Sequence, residues 1–371
     1  MAAPMLLIAA GGTGGHMFPA QALAEEMLGR GWRVALASDA RGLRYAGGFP
    51  DTVERLELAS ASPSRGPLFD RLSALFVILG GIRQARARFQ AEPPAVVAGF
   101  GGYPALPALT AAWSLGLPRL IHEQNGVLGR VNRLFATRVD RVCCGTWPLR
   151  NPPKGARLEA VGNPVRAAIA AARDVPWTPP DAGGEGGEIQ LLVFGGSQGA
   201  SVFSRVVPQA VALLPEALRR RLVVTQQVRD GEAAQVAASY RAAGVTAELA
   251  TFLDDMPERL AAAQLVIARA GASTVAEIAC LGRPSLLVPY PHATDDHQSA
   301  NAAALAEAGG ARVIDERALT AGALASALRR LLSEAPEEAA AMAAAARAAG
   351  KPEAARDLGD IVQALHEGTT A

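Results

Sequence analysis

The chain has 371 residues, 50% of them hydrophobic, which is enough for two domains of about 150–190 residues with buried cores. The chain has 36 basic and 35 acidic residues, a net charge of +1. This charge is too small for the protein as a whole to attract nucleic acid electrostatically. The three cysteines lack metal-type spacing, which argues against a disulfide framework and a zinc site.

Short apolar runs bounded by glycine or proline alternate with helical patterns, which predicts parallel sheets covered by helices. Runs that are apolar on both faces suit buried parallel strands. In the first half, the predicted strands are 5–10, 34–38, 95–98, 119–122 and 141–144. In the second half, they are 190–194, 222–225, 265–268 and 285–288.

The segment 174–188 mixes proline, glycine and acidic residues, and it predicts an exposed loop near a domain boundary. We expect an N-terminal Rossmann-like domain, 1–165, and a C-terminal one, 166–349, each opening with a strand and a glycine-rich turn. The alanine-rich end of the chain predicts helices, the last of which, about 350–371, is expected to pack back onto the first domain. Ligands of such sheets bind at the carboxyl ends of the strands.

Targeting signals are not evident in the sequence. No basic region precedes the apolar run at 5–10, and the run at 72–82 is shorter than the ~20 residues that span a bilayer. We therefore expect a cytosolic protein that can still touch a membrane.

The first glycine-rich turn, 11–16, follows a predicted strand. A helix is predicted to begin near Pro19, because proline is favoured in the first turn of a helix. Its glycines and the helix N-terminus offer backbone N–H groups to an anion. The turn is not a P-loop, and Met17 at the third glycine position makes it a poor dinucleotide fingerprint. His16 can bond a phosphate or move a proton, although a lone histidine is more often structural.

The second glycine-rich turn, 195–200, has the same features and adds the hydroxyl of Ser197. Together with Arg166, it is expected to hold the diphosphate of a nucleotide. Fixed donors there would stabilise the charge of the leaving group without a metal. A surface or hinge salt bridge is the alternative for Arg166.

The segment 268–277 predicts a strand that ends at Arg269, a tight turn, and a helix that begins near Ser273 or Thr274. Glu277 would then lie in the first helical turn, where acidic residues are favoured in any case. Its carboxylate can also accept both hydroxyls of a ribose.

The polar loop from Tyr290 to Gln298 contains two histidines and two aspartates. These are metal-ligand types, but the loop has no Asp-x-Asp motif, and polar loops of this kind are common without a metal. Gln298 is expected to bond sugar hydroxyls.

Two loops of the first half complete the predicted site. The loop 99–104 follows a strand and can wrap around a ligand. The polar run 122–125 ends another strand, and packing does not readily explain it. A satisfied network of turn hydrogen bonds is the alternative.

A predicted helix at 68–89 has an apolar face formed at helical spacing by Leu72, Leu75, Phe76 and Leu79. Arginines flank this face, so the helix can lie on an anionic bilayer. A face that packs into the core is the equal alternative on the residues alone.

Six motifs, ordered along nearly the whole chain, together resemble one family. They are 11–16, 99–103, 122–125, 162–166, 195–199 and 272–277. They are similar to motifs of the bacterial N-acetylglucosaminyltransferases that make lipid II in peptidoglycan synthesis. The resemblance implies the α/β GT-B fold, with two Rossmann-like sheets facing across a cleft. The first domain would bind the acceptor, and the second would bind most of the UDP-N-acetylglucosamine donor.

The resemblance also implies the reaction. N-acetylglucosamine would pass, with inversion, to the 4-hydroxyl of the muramyl sugar in undecaprenyl-diphosphoryl-N-acetylmuramoyl-pentapeptide, and UDP would leave. No metal or other cofactor is implied, and a general base must take the acceptor proton. The implied location is the cytoplasmic face of the cell inner membrane. The protein would attach peripherally to the anionic membrane surface through the apolar face of the predicted helix at 68–89. Partner proteins of cell-wall synthesis are compatible with the resemblance.

Donor contacts are implied at the positions that match the family's motifs. These are Thr13, Gly14, Gly15, Asn125, Arg166, Ser197, Leu253, Ala272, Ser273, Thr274, Val275, Ala276, Glu277 and Gln298. Glu277 would hold the ribose, and backbone atoms of Leu253 would bind uracil. The register at His297 and Gln298 can shift by one, because the loop before them can vary in length.

Catalytic and acceptor-side roles are implied for five residues. His16 is the candidate general base or diphosphate partner, with Glu123 as the rival base and Asn125 beside the reaction centre. Tyr103 and His122 are expected on the acceptor side. The segment 174–188 departs from the family pattern as an insertion.

Other functions remain open on the sequence. A UDP-N-acetylglucosamine 2-epimerase would share the fold but needs its own acid–base groups and no lipid surface. An NAD-dependent oxidoreductase would use Asp39 for the ribose, although the missing third glycine argues against it. A sugar-nucleotide sensor without turnover would keep the glycine turns and Glu277.

Overall fold

The computed structural model describes residues 3–11, 14–44, 46–61, 68–180, 187–196 and 199–368, with the side chains of 68–72 and 294 outside this description. The chain forms two compact units. The first comprises Met1–Arg166 and Lys351–Ala371, and the second comprises Ala167–Gly350. Each unit contains one sheet whose described strand pairs are parallel, which confirms the predicted α/β class with two parallel-sheet domains.

The described strands of the first unit are β1 (Met5–Ala9), β2 (Arg33–Ser38), β3 (Glu54–Glu57), β4 (Val96–Gly99), β5 (Arg119–Glu123), β6 (Arg141–Cys144) and β7 (Leu158–Ala160). Their order across the sheet is β3-β2-β1-β4-β5-β6-β7. The order reverses between β1 and β4. Such a switch point opens a crevice at the carboxyl ends of the strands, where ligands of these folds bind.

The described strands of the second unit are β8 (Ile189–Phe194), β9 (Leu222–Gln227), β10 (Thr246–Ala250), β11 (Leu265–Ala268), β12 (Ser285–Leu287) and β13 (Ala311–Val313). Their order is β10-β9-β8-β11-β12-β13, so the second switch point lies between β8 and β11. Four strands, β3, β7, β10 and β13, are absent from the sequence-based prediction. Each of them lies at an edge of its sheet.

Helices cover the sheets. Those before the second unit are α1 (Gly14–Gly29), α2 (Ala40–Leu43), α3 (Leu68–Ala91), α4 (Ala105–Ser114) and α5 (Arg130–Phe135). The second unit contains α6 (Ala167–Ala171), α7 (Ser201–Ala212), α8 (Glu216–Arg221), α9 (Ala233–Ala242), α10 (Met256–Ala262), α11 (Ala272–Leu281), α12 (His297–Glu307), α13 (Ala321–Arg329) and α14 (Pro336–Ala349). The helix α15 (Ala354–Glu367) belongs to the first unit. Within the described residues, no helix is both long enough and apolar enough to cross a bilayer.

The helix α15 completes the core of the first unit. Leu358 and Val362 are buried in the same apolar cluster as Ile8 of β1. On the surface of this contact, Arg30, which directly follows α1, donates to Asp360 at 2.7 Å. The apolar residues of β1 are thus buried on both faces of the sheet, as expected for a parallel sheet covered by helices.

Two helix starts differ from the sequence-based prediction. The helix α1 begins at Gly14, so Pro19 lies inside the helix and outside its first turn. The helix α11 begins at Ala272, because Gly271 has extended backbone angles (φ −64°, ψ 144°) and caps the helix. The prediction placed this start near Ser273 or Thr274, one or two residues later than observed, and Glu277 therefore lies in the second turn.

Candidate active site

The loops that follow β1 and β4 pack against each other at the first switch point. A Cβ atom on Gly11 would lie 2.4 Å from Cγ of Pro104, and one on Gly102 would lie 2.7 Å from the carbonyl oxygen of Gly11. Gly102 also has a φ of +76°, which favours glycine. Only glycine allows this close approach, so the two loops form one compact wall of the crevice.

His16 lies in the first turn of α1 beside this wall. Its Nδ1 atom is 2.8 Å from the carbonyl oxygen of Gly11. A carbonyl only accepts, so the neutral ring carries its proton on Nδ1 and keeps a lone pair on Nε2. A Cβ atom on Gly101 would lie 3.4 Å from Nε2, which therefore faces the loop after β4. The backbone thus fixes a tautomer whose outer nitrogen can accept a proton.

Glu123, at the end of β5, is 1% exposed and accepts four hydrogen bonds. Its Oε1 atom accepts from the backbone N–H of Asn125 at 3.1 Å and from Nδ2 of the same residue at 3.0 Å. Its Oε2 atom accepts from the backbone N–H of Gly129 at 2.8 Å and from Nδ2 of Asn132 at 2.9 Å. The carboxylate therefore anchors the segment after β5, including the partly exposed Asn125.

His122 is completely buried. Its Nε2 atom lies 3.0 Å from the carbonyl oxygen of Gly162, to which it donates. Its Nδ1 atom lies 3.3 Å from Nε2 of Gln124, which also donates to the carbonyl of Phe100 at 3.1 Å. Burial lowers the pKa of His122 to about 4, against the opposing effect of the bond to Gly162. The neutral ring thus joins β5 to Gly162 and, through Gln124, to the loop after β4.

The second glycine-rich turn follows β8 at the second switch point. The backbone N–H of Gly195 donates to Oε1 of Gln227 at 3.0 Å, and Nε2 of Gln227 donates to the carbonyl of Thr251 at 3.2 Å. These bonds join the segments after β8, β9 and β10. A Cβ atom on Gly195 would lie 2.5 Å from the backbone nitrogen of Ala200, so the turn also requires glycine.

The turns after β11 and β12 are joined by Gln298 in the first turn of α12. Its Oε1 atom accepts from the backbone N–H groups of Ala270 at 3.2 Å and Tyr290 at 2.9 Å. The side-chain carbonyl of Gln298 thus bonds to the protein backbone. Its NH2 group is the part that can donate to a sugar hydroxyl. The side chain of Glu277, on α11, is buried, and so is that of Leu253, which follows β10.

The predicted site residues fall at the carboxyl ends of the two sheets. In the first unit they are Gly14, Gly15, His16, Tyr103, His122, Glu123, Asn125 and Arg166. In the second they are Leu253, Ala272, Ser273, Thr274, Val275, Ala276, Glu277 and Gln298. Thr13 and Ser197 lie outside the described residues. Their roles stay predictions.

The sequence did not predict the roles of three side chains in the site. Asn132 and Gln124 act through the partners named above, which the sequence does not reveal. Arg269, nearly buried after β11, donates to the carbonyl of Val288 at 3.1 Å and pairs with Glu316 at 2.5 Å. It fixes the end of β12, and no local motif points to a partner so far along the chain.

The apolar face of α3 lies on the surface. Phe76 is 74% exposed, and Leu75 and Leu79 are also exposed, whereas Ala74 and Ile78 point into the core. The side chain of Leu72 is outside the described part of the structure. The face therefore includes three of the four residues that the sequence places on it.

No group of three or more His, Cys, Asp or Glu side chains that could hold a metal ion occurs among the described residues.

Family models of glycosyltransferase family 28 match both units. The model of the N-terminal domain matches residues 6–144, and that of the C-terminal domain matches residues 190–358. The UDP-N-acetylglucosamine--N-acetylmuramyl-(pentapeptide) pyrophosphoryl-undecaprenol N-acetylglucosamine transferase of Caulobacter vibrioides is 51% identical to the chain over 362 residues. That match covers 97% of this chain and 98% of the relative. The chain belongs to this family of glycosyltransferases.

A second relative in this glycosyltransferase family has the same name and comes from Agrobacterium fabrum. It is 47% identical to this chain, and the match covers 98% of this chain and 95% of the relative. The crystal structure of Acinetobacter baumannii MurG superposes with a TM-score of 0.77 at 29% identity, over 97% of this chain and 99% of that one. The resemblance derived from the six motifs is thereby confirmed, as is the predicted GT-B fold.

Proposed function

We infer that the chain is the enzyme that transfers N-acetylglucosamine from UDP-N-acetylglucosamine to lipid I, giving lipid II and UDP in peptidoglycan synthesis. The observation that carries this conclusion is the 51% identity, over nearly the full length of both chains, to an enzyme named for that reaction. An epimerase shares the fold without this sequence similarity and is not favoured.

The chemistry is an inverting displacement. The 4-hydroxyl oxygen of the muramyl sugar forms a bond to C1 of N-acetylglucosamine, while the bond from C1 to the UDP oxygen breaks. The hydroxyl proton must leave to a base, and UDP departs with its negative charge. We assign the base to Nε2 of His16, because the bond from Nδ1 to Gly11 leaves its lone pair available.

For the donor, we propose that the second unit binds UDP-N-acetylglucosamine at its switch point. Glu277 would hold the ribose, backbone atoms of Leu253 the uracil, and the NH2 group of Gln298 a sugar hydroxyl. The diphosphate would lie on backbone N–H groups at the starts of this unit's helices. Such groups stabilise a leaving diphosphate without a metal.

A transfer assay tests the reaction and its independence of metals together. Purified protein is incubated with radiolabelled UDP-N-acetylglucosamine and a short-chain lipid-linked muramyl-pentapeptide, with and without EDTA. We expect labelled lipid only when the acceptor is present, at the same rate with EDTA. Binding of the donor without labelled lipid would overturn the acceptor, and full inhibition by EDTA would overturn the metal-free mechanism.

We further propose that the exposed face of α3 attaches the enzyme to the cytoplasmic side of the inner membrane. Leu75, Phe76 and Leu79 offer apolar surface, and the exposed Arg83 and Arg86 follow on the same helix. Apolar side chains enter the headgroup region while arginines attract anionic lipids. This arrangement would bring the crevice of the first unit close to a lipid-linked acceptor.

A charge on this face is expected to weaken membrane binding. In the Phe76→Glu variant, partition onto anionic phospholipid vesicles should fall about tenfold, because a carboxylate replaces an inserted ring and meets like charge. Sedimentation with vesicles measures it. The matched control is Leu213→Glu, which places the same charge on an exposed apolar position of the second unit. Equal partition of the two variants would refute attachment through α3.

A further inference from the structure

An exposed aromatic side chain stands on the loop after β6, and the reaction as derived above does not use it. Trp147 is 51% exposed, and Pro148 beside it is exposed as well. Single apolar residues on a surface are common and need no explanation. What distinguishes Trp147 is the rigidity of its loop and the segment to which that loop is bound.

Three hydrogen bonds fasten this loop to the polar segment after β5. The backbone N–H of Gly145 donates to the carbonyl of Glu123 at 2.7 Å. The hydroxyl of Thr146 donates to the carbonyl of Gln124 at 3.0 Å. Further on, the backbone N–H of Arg150 donates to the carbonyl of Gly126 at 2.8 Å. These bonds hold the backbone that carries the indole, so a ligand that covers it does not have to order the loop.

The same bonds set the distance of Trp147 from the reaction centre. Trp147 follows Thr146 and Asn125 follows Gln124, so the bond between Thr146 and Gln124 places the two backbones within about 13 Å of each other. Across the sheet, β6 is the third strand from β1, a separation of about 14 Å. Trp147 thus lies at the same carboxyl end of the sheet as His16, with its strand about 14 Å from β1.

We propose that Trp147 binds the peptide stem of the acceptor, an inference that rests on the proposed function. The peptide is attached to the muramyl carbon next to the one that bears the reacting hydroxyl, whereas the diphosphate leaves from across the ring. With the hydroxyl at His16, the peptide starts at the reaction centre, and five extended residues reach about 17 Å. An indole offers an apolar face to side-chain methyl groups and an N–H donor to peptide carbonyls.

Shortening the acceptor peptide tests this contact. Steady-state constants are measured in detergent for the Trp147→Ala and Trp147→Phe variants and for Leu213→Ala, a matched exposed control in the second unit. The acceptors are the lipid-linked muramyl-pentapeptide and the same lipid-linked sugar with a single amino acid. We expect Trp147→Ala to raise the KM of the pentapeptide acceptor about tenfold, with kcat and the KM of the donor within twofold. Trp147→Phe should restore most of the affinity, and Leu213→Ala should change nothing.

The comparison of acceptors decides the outcome. With the shortened acceptor, Trp147→Ala and the unmodified protein should have the same KM, because the partner of the indole is missing. An equal rise in KM for both acceptors would overturn the proposal in favour of the sugar or the loop itself. A loss of vesicle binding with unchanged KM would make Trp147 a membrane contact instead. The unmodified protein must turn over the pentapeptide acceptor for these comparisons to be made. If the proposed function itself is wrong, the unmodified protein will show no transfer at all.

Discussion

The His16→Ala variant is expected to lose about a thousandfold in kcat while the KM of UDP-N-acetylglucosamine stays within about threefold. A positioned base contributes about 10²–10⁴ to a proton transfer of this kind. The bond from Nδ1 to the carbonyl of Gly11 presents the lone pair of Nε2 in the crevice, and alanine has no group to replace it. The remaining activity would come from the bound geometry and from stabilisation of the leaving UDP.

The pH–rate profile at saturating acceptor provides the decisive measurement for His16. In the unmodified protein, kcat should rise with pH and then level off, as expected for a reaction that needs an unprotonated general base. In His16→Ala this rise should be absent. His366→Ala, which removes a histidine of α15 from its edge contact with Trp32, should keep the normal profile. An unchanged profile in His16→Ala with only a modest loss of affinity would exclude the base role.

The Glu123→Gln variant is expected to unfold more easily by about 3 kcal/mol, because an amide cannot satisfy all four donors that surround this buried carboxylate. Its single oxygen can serve one pair, and its NH2 group meets the N–H groups of the other pair. Each buried donor left without a partner costs about 1–3 kcal/mol. We expect kcat to fall as well, because Asn125 loses its anchor, but the pH dependence set by His16 should remain.

Urea unfolding and the pH–rate profile separate the two roles of Glu123. The matched control is Glu54→Gln, which removes a partly exposed carboxylate that pairs with Arg88 at 3.0 Å. Exposed pairs contribute about 0–1 kcal/mol, so this control should stay close to the unmodified stability. A Glu123→Gln variant of normal stability that loses the rise of kcat with pH would make Glu123 the base and His16 its neighbour.

The interior strands could be predicted from sequence, and the edge strands could not. Interior strands such as β1 are covered on both faces, so they appear as continuous apolar runs. The edge strand β3 reads Glu54-Arg-Leu-Glu57, and most of it is exposed. Charge on an edge strand hinders pairing with other chains, and it also removes the apolar signal. The strand β10 is missing from the prediction for the same reason, because Thr246 and Glu248 interrupt its short apolar signal.

The site shows a similar division. Glycine-rich turns and polar runs after apolar strands identify the crevices, because strand ends are where parallel sheets bind ligands. The tasks of the individual side chains depend on partners that are distant in sequence. His122 pairs with Gly162, and Glu123 binds Asn132. The family resemblance suggested Glu123 as a rival base, whereas the four donors around it suit an anchor.

The contribution of α15 to the core of the first unit has a consequence for biosynthesis. Leu358 and Val362 fill the space beside β1, but they are translated only after the whole second unit. At about 5–20 residues per second, the ribosome needs about 10–40 s to pass from residue 167 to the end of the chain. During that time the apolar surface beside β1 lacks its cover. The first unit therefore cannot complete its core until α15 has been made.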